Sequence, residues 1–404
     1  MSFVERGSRL LRDGGLLGFI VPNKFFRTDY GVGLRSLLSR ERAVARIVDF
    51  QASQVFAATT YTCLLFLKRG GVDDFDFATS EASPPRLDAV AFSQKKASDL
   101  GPQPWTFSDE RHRSLLAKLS SGTVPLLDLP ADMSRGSSTG DDEVFVFQKG
   151  QLDIEREVVR VPVFASDFGR YRFSPGDKWR VIFPYFRDGD GFRLMQESEL
   201  RKDFPKAYTY LQENTAKLRK RKQFREWFGF SAARNLEIHE RATIMVPLLA
   251  DRGLFALIPR ETRGKLCPMA GGGFSITLGP DVQLRPEYVL ALLNSKLLFW
   301  RLRGLSNLFR GGWITCTKQY FGQLPIRSID LSQQSQRGIH DRIVALVEEM
   351  ASMDDVSTAA RTPHEQEVVR RKLAATDAEI DRLVYDLYGL TNDEIKLVEE
   401  EPQA

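Results

Sequence analysis

The stretch that most constrains the fold runs from Gly14 to Leu67 and predicts a strand, a loop, a helix and two further strands. It begins with the apolar run LLGFIV at 16–21, closed by Pro-Asn, which is typical of a strand buried on both faces of a mainly parallel sheet. After leucines at helical spacing, RAVARIVDF at 42–50 and YTCLLFL at 61–67 indicate strands. The connection between them is too short for a helical crossover, so we predict an antiparallel hairpin that ends the sheet.

The composition is that of a folded protein, since 42% of the 404 residues are hydrophobic and 27% are charged. The three cysteines (Cys63, Cys267 and Cys316) are widely spaced and odd in number, which favours buried thiols in a reducing compartment over disulfides. The four histidines are scattered, so no metal site is predicted. No segment is apolar for long enough to be a signal peptide or a membrane span, and we expect a cytoplasmic protein without membrane contact.

Positive charge is concentrated in one segment, although the net charge of the chain is only +4. Between Arg201 and Arg225, nine lysines or arginines stand against two acids and are interleaved with aromatic residues. We predict a basic helix that lies on a sugar–phosphate backbone, and an ordinary solvated face is the alternative. The central cations predicted to contact nucleic acid are Lys217, Arg219, Lys220, Arg221 and Lys222.

The ordered series GGLLGFIVPNKFF, Tyr30-Gly31, Leu34-Arg35 and IVDFQASQVF resembles one region of adenine-specific DNA methyltransferases of restriction–modification systems. That region follows their catalytic Asn-Pro-Pro-Tyr motif, and the resemblance is closest to type IIG-like enzymes with a fused target-recognition part. It implies S-adenosyl-L-methionine (AdoMet) as methyl donor and an adenine flipped out of the duplex as acceptor. It also implies that Phe56 stacks on this adenine, whereas spacing alone favours Phe56 as a core anchor of the hairpin.

Other phrases resemble the TaqI-like target-recognition domain of the same family. Thr139-Gly140, followed by the strand-like VFVF at 144–147, resembles its opening, where Thr139 and loop amides could hold a DNA phosphate; a plain turn is the alternative. LLNSK at 292–296 and QLPI at 323–326 resemble its end. The DNA-contact candidates that this second resemblance implies are Asn294, Lys296, Arg310 and Trp313.

Two motifs of the resembling enzymes do not occur in the printed sequence. AdoMet binding needs a glycine-rich turn after a strand and an acidic residue for the ribose, and methyl transfer needs Asn-Pro-Pro-Tyr or Asp-Pro-Pro-Tyr. We therefore predict no catalytic and no cofactor-binding residues in this chain. Three strands and one helix could not close a doubly wound sheet. We expect the chain to be inactive alone and to require an N-terminal methyltransferase polypeptide as partner.

Together the patterns predict an α/β protein, α+β overall. It combines the C-terminal remnant of a Rossmann-like methyltransferase sheet with a mixed α/β target-recognition domain and a helical tail. The predicted boundaries are 1–75 for the methyltransferase part, 76–125 for a connection, 126–330 for the target-recognition domain and 331–404 for the helical segment. Within the tail, helices at 332–349 and 365–388 are predicted to pair as a hairpin.

The implied function is recognition of double-stranded DNA and positioning of a target adenine. Two alternatives stay open. One is a non-enzymatic DNA-binding specificity subunit, comparable in role to the recognition subunits of type I systems, which would need a self-sufficient fold. The other is a decayed fragment of a broken gene.

Overall fold

A computed structural model describes residues 2–51, 55–56, 60–80, 90–105, 107, 110–306, 312–359 and 362–400. It is a mixed α/β protein with several small open sheets and a helical C-terminal part, as the sequence predicts. The chain divides into two compact units, the first formed mainly by Met1–Arg113 and the second by Ser114–Asn307 with Trp313–Ala404. In the described part of the chain, no helix combines the length and the apolarity needed to cross a bilayer.

The first unit is built on one five-stranded sheet with the order β1-β3-β2-β4-β5. Its elements are α1 (Ser2–Leu10), β1 (Leu16–Pro22), α2 (Val32–Arg40), β2 (Val44–Asp49), β3 (Thr62–Lys68), β4 (Asp74–Thr79) and β5 (Ser93–Lys96). The predicted antiparallel hairpin of β2 and β3 is confirmed. It does not end the sheet, because β3 also pairs with β1, β4 runs parallel to β2, and β5 pairs with β4.

These two additional strands change the first boundary. Residues 76–125 are predicted to form a connection. In the structure, β4 and β5 continue the sheet, and the first unit reaches Arg113. Phe75 and Phe77 of β4 are buried in the core of this unit together with Trp105. Alternate residues of β4 thus supply apolar contacts to one face, as expected of a strand with one covered face.

Strand β1 is wrongly predicted to be buried on both faces. It lies at an end of the sheet, and its residues alternate between exposed and half-buried. Leu17 and Phe19 pack against the core, whereas Leu16 is 69% exposed and Ile20 is 40% exposed. The apolar run therefore marks one covered face and one open apolar face.

The first half of the second unit contains short strands around an aromatic core. Its elements are α3 (Glu110–Ser120), β6 (Thr123–Pro125), β7 (Ala131–Arg135), α4 (Asp142–Phe145), β8 (Val146–Gln148), β9 (Val159–Val163), β10 (Phe168–Gly169), β11 (Arg172–Phe173), β12 (Trp179–Ile182), β13 (Tyr185–Asp188), β14 (Gly191–Leu194), α5 (Glu197–Asp203), α6 (Pro205–Glu213), α7 (Thr215–Leu218) and α8 (Leu236–Arg241). The prediction of a strand at 144–147 is wrong for its first two residues and correct for its last two. Because Asp141 caps a helical turn through the backbone N–H of Val144, the strand begins only at Val146.

The second half of this unit is largely helical. Its elements are β15 (Ile244–Val246), β16 (Leu249–Ala250), β17 (Ala256–Leu257), β18 (Leu266–Pro268), β19 (Phe274–Leu278), α9 (Pro286–Asn294), α10 (Lys296–Leu305), β20 (Ile314–Thr315), α11 (Lys318–Phe321), β21 (Pro325–Arg327), α12 (Gln334–Ala359), α13 (Pro363–Tyr388) and α14 (Asn392–Glu400). Two four-stranded sheets have the orders β18-β9-β12-β8 and β17-β15-β19-β7. Cys63, Cys267 and Cys316 are free and buried, as predicted.

The predicted helical hairpin is confirmed as the pair of α12 and α13. The ion pairs Arg342–Glu379 and Lys372–Glu349 join the two helices in antiparallel order. Local signals fix the ends of α13. Thr362 caps its first turn, and Gly389 ends it in the left-handed conformation that favours glycine.

Candidate nucleic-acid interface

The segment with the highest positive charge is a helix followed by a turn, and not the single basic helix predicted from the sequence. Helix α6 starts at Pro205, a favourable first position, and ends at Glu213. The short helix α7 ends at Leu218, so residues 219–225 continue as turns. Consecutive cations at helical spacing repel one another, which disfavours continuation of the helix through this segment. We call residues 219–225 the cationic turn.

Arg221 is the residue that holds the cationic turn in place. Its Nε donates to Leu218 O at 2.9 Å, and its Nη1 donates to Thr139 O at 2.6 Å and to Gly229 O at 2.8 Å. Its Nη2 donates to Trp227 O at 2.6 Å. Because the guanidinium is occupied by backbone carbonyl groups, Arg221 positions the turn, and its predicted direct contact with DNA is not retained.

The other cations of this segment differ in availability. Lys217 donates a hydrogen bond to Glu143 at 2.6 Å, and this bond is the main reason why its pKa is raised. The side chains of Arg219, Lys220 and Lys222 are exposed and have no hydrogen-bond or ion-pair partner among the described residues. Three fixed positive charges on an exposed turn can bind phosphates without first breaking an internal ion pair.

The Thr139-Gly140 loop lies against the cationic turn but offers no free hydroxyl. Thr139 is fully buried, and its Oγ1 accepts from the N–H of Asp141 and donates to the carboxylate of Asp142. Gly140 has a φ of +81°, and a Cβ there would collide with Ser231. The loop is a tight structural turn, so the predicted phosphate contact of Thr139 is not retained.

The candidates of the second resemblance occupy different environments. Asn294 is buried, and its side chain both donates to Phe255 O at 2.9 Å and accepts from Phe255 N at 3.0 Å. Its predicted DNA contact is not retained, because its polar atoms are used inside the protein. Lys296 is partly exposed but forms an ion pair with Glu399 at 2.8 Å. Trp313 is 39% exposed, and Arg310 lies outside the described residues.

A partly buried polar cluster lies beside Asn294, and no pattern in the sequence indicated it. The Nε of Arg170 lies 2.8 Å from both carboxylate oxygens of Asp377, and its Nη1 donates to Asn294 O at 2.5 Å. Asp381 accepts from the backbone N–H of Lys296 at 2.9 Å, at the start of α10. Burial is the main cause that raises the pKa of Asp381 from 3.8 to about 6. The cluster joins α13 to α10.

Replacing Asp381 by Asn should therefore stabilise the chain at pH 8. The unfolded state loses its proton near pH 3.8 and the folded state near pH 6, so the charge of Asp381 costs stability increasingly across that window, up to about 3 kcal/mol above it. In urea unfolding, the midpoint of Asp381→Asn should exceed that of wild type at pH 8 and match it at pH 4. Asp377→Asn is the control and should destabilise, because the largely covered guanidinium of Arg170 loses its paired carboxylate. A lower midpoint for Asp381→Asn at pH 8 would contradict the prediction.

In the first unit, the carboxyl ends of β1 and β2 meet at one edge of the sheet. Asn23, which follows β1, donates to the carboxylate of Asp49 at 2.8 Å, and this carboxylate also accepts from the N–H of Gln51 at 3.0 Å. Burial raises the pKa of Asp49. Phe56, in the connection after β2, is 49% exposed and is not part of the core cluster. The structure therefore does not show the core role considered for Phe56, and its base-stacking role stays a prediction.

Comparisons with known proteins agree with the resemblance read from the sequence. The family described as Eco57I restriction-modification methylase matches residues 1–56. The type II restriction enzyme and methyltransferase RM.Eco57I of Escherichia coli is 24% identical over 98% of this chain and 43% of its own length. The type II methyltransferase M.BstVI of Geobacillus stearothermophilus is 23% identical over 87% of this chain and 65% of its own.

The chain is related to type II restriction–modification methyltransferases. Among solved structures, the type IIL restriction-modification enzyme MmeI in complex with DNA has a similar fold. Its TM-score is 0.57 at 12% identity, and the match covers 95% of this chain and 49% of MmeI. This methyltransferase-related chain therefore spans less than half of RM.Eco57I and about half of MmeI.

The residues described in the first unit of this methyltransferase-related chain do not fit AdoMet. Strands β1, β2 and β4 run in the same direction and end in Pro22-Asn23, Asp49-Phe50 and Thr79-Ser80. None of these is the glycine-rich turn that lets a backbone approach a cofactor. The Asp49 carboxylate is buried and hydrogen-bonded to Asn23 and Gln51, so it cannot serve as the acid for a ribose.

Proposed function

We propose that this chain recognises a sequence in double-stranded DNA and positions one adenine for AdoMet-dependent methylation. It does so as the recognition part of an adenine-specific methyltransferase in a restriction–modification or phage-defence system. The observation that carries the proposal is the cationic turn, in which Arg219, Lys220 and Lys222 are exposed while Arg221 fixes the backbone. A turn whose backbone is already fixed loses little backbone freedom when its cations bind phosphates. The DNA complex of MmeI, which has a similar fold, supports DNA as the partner.

The target adenine stacks on Phe56 after it has left the duplex. Unstacking a base costs on the order of a few kcal/mol, and an exposed aromatic ring returns part of that cost. Phe56 is half exposed and follows the carboxyl end of β2. Ligands of α/β sheets bind at the carboxyl ends of the parallel strands, and this supports the assignment.

An N-terminal methyltransferase polypeptide supplies AdoMet binding and the Asn-Pro-Pro-Tyr motif, and the chain alone is inactive. The features that support this partner are in β1, which pairs only with β3 among the described residues. An open apolar strand edge attracts another strand, and the exposed side chains of Leu16 and Ile20 form an apolar face beside it. A partner that adds strands next to β1 covers both.

The test is a methylation assay with radiolabelled AdoMet and duplex DNA. We expect no transfer of label by the purified chain alone. When an N-terminal methyltransferase polypeptide that carries the Asn-Pro-Pro-Tyr motif is added, label should appear on the amino group of adenine. Methylation by the chain alone would overturn the proposed division of roles, and a pair that neither binds nor methylates DNA would overturn the proposed function.

One observation favours the alternative of a non-enzymatic specificity subunit. Three strands are predicted from the sequence for the first unit, whereas the unit has five strands and a hydrophobic core of its own. Such a unit is closer to a self-sufficient fold. A chain that binds one DNA sequence but never increases methylation by the neighbouring polypeptide would support this alternative.

A further inference from the structure

The hairpin of β13 and β14 is firmly held at its base and exposed at its tip. The hydroxyl of Tyr185 accepts a hydrogen bond from Phe230 N at 2.8 Å. On the opposite strand, Arg193 donates to both carboxylate oxygens of Glu199 at 2.7 and 2.8 Å, and its guanidinium lies 3.6 Å from the ring centroid of Phe186. Residues 187–190 at the tip are all exposed. The base of the hairpin is therefore rigid, while the tip makes few contacts of its own.

The tip carries groups that match the edges of a G·C pair. Arg187 donates only through Nε, to Gly189 O at 3.3 Å, and its two terminal nitrogens have no partner among the described residues. The carboxylate of Asp190 likewise has none within the described chain, whereas Asp188 lies 3.8 Å from Arg193. A guanidinium fork is complementary to guanine O6 and N7, and a carboxylate accepts from the amino group of cytosine.

The dimensions and the position of the hairpin suit a DNA groove. The major groove is roughly 12 Å wide and 8.5 Å deep and admits a two-stranded ribbon. The exposed part of β13 is Arg187 and Asp188, which span roughly 7 Å and so reach most of that depth. Both the hairpin and the cationic turn are attached to the loop at 227–230, because Tyr185 accepts from Phe230 N and Arg221 donates to Gly229 O.

The charge of the tip also favours base edges over the backbone. Two of the four tip residues, Asp188 and Asp190, are acidic. Carboxylates placed against phosphates are repelled, whereas in the centre of the major groove they meet amino groups. If the hairpin were solvated and made no contact with DNA, replacement of its tip side chains would leave the base preference unchanged.

We propose that the β13–β14 hairpin enters the major groove and reads a G·C pair of the target through Arg187 and Asp190. This inference rests on the proposed function, because it requires that the chain recognises a DNA sequence. It assigns base discrimination to the hairpin and leaves the affinity for the backbone to the cationic turn.

The test is selection from a pool of DNA duplexes with a randomised central segment, using the full chain. Wild type should select a sequence that contains at least one G·C pair, and Arg187→Ala with Asp190→Asn should lose preference at that pair by roughly 10-fold or more. The matched control is Arg241→Ala with Asp281→Asn, which removes the same charges from exposed positions elsewhere in the second unit. The control should select the wild-type sequence.

The affinity for a duplex without the selected sequence separates misfolding of the hairpin variant from loss of sequence discrimination. The hairpin variant should bind such a duplex as tightly as wild type, since its cationic turn is intact. An unchanged preference at every position would overturn the hairpin proposal alone. A wild-type chain that binds duplexes but selects no sequence would overturn the recognition role, and the hairpin proposal with it.

Discussion

Replacing Arg219, Lys220 and Lys222 together by Gln should weaken binding to duplex DNA by roughly 100-fold at about 0.1 M salt. Each cation that neutralises a phosphate releases a counterion and contributes roughly 0.9 to the slope of log affinity against log salt. Removal of all three should therefore lower the slope by about 3. The measurement is fluorescence anisotropy of a labelled duplex over a range of salt concentrations.

The fold of the variant should not change, because these three side chains are exposed and form no hydrogen bond or ion pair within the described part of the chain. The matched control is the triple replacement of Arg156, Arg241 and Arg382 by Gln, which changes the net charge equally at exposed positions of the second unit whose side chains have no ion-pair partner among the described residues. This control should keep the wild-type slope. If both triple variants lose the same affinity, DNA binding reflects overall charge, and the cationic turn is not the interface.

The same segment shows what the sequence could and could not predict. Charge density is a property of the sequence, so the position of the basic segment was predictable. Its shape was not, because Arg221 ends the helical path by bonding to carbonyl groups that include Thr139 O, 82 residues away in the chain. The spacing of residues does not distinguish neighbouring cations. In the folded chain, the guanidinium of Arg221 faces the protein, whereas the side chains of Arg219, Lys220 and Lys222 face solvent.

Asn294 illustrates the same limit at a second place. Its phrase LLNSK matched the expected pattern, but the pattern does not say whether a polar side chain faces solvent or protein. The partner of Asn294 is the backbone of Phe255, 39 residues earlier, and this contact exists only after α9 has packed beside the turn that precedes β17. By contrast, α12 and α13 were predictable because their apolar spacing and the caps of α13 are local signals.

Strand β1 shows a third limit. Its apolar run predicted a strand correctly, yet the run could not reveal which face is covered, since every residue on both faces is apolar or glycine up to Pro22. The structure places it at an end of the sheet with Leu16 and Ile20 exposed. A sequence that is apolar on both faces and a structure that covers one face together point to a further contact.

Leu16→Lys with Ile20→Lys should prevent assembly with the proposed N-terminal methyltransferase polypeptide. If the partner covers Leu16 and Ile20, burial of each side chain stabilises the complex by about 1.5 kcal/mol or more, so the double variant should bind at least ~100-fold more weakly. Adenine methylation by the mixture should fall in parallel at limiting partner concentration. The chain itself should remain folded, because both side chains are already exposed in it.

Val368→Lys with Ile339→Lys is the matched control, since these side chains are also exposed apolar residues but lie on α13 and α12. It should bind the partner as wild type does. Co-purification measures assembly, and the methylation assay measures its consequence. An excess of partner separates weakened assembly from impaired catalysis. If the two lysines weaken only the assembly, this excess should restore methylation by the Leu16→Lys, Ile20→Lys variant. Full assembly of this variant at low concentration would show that the open face of β1 is not the docking surface, even if the two polypeptides do act together.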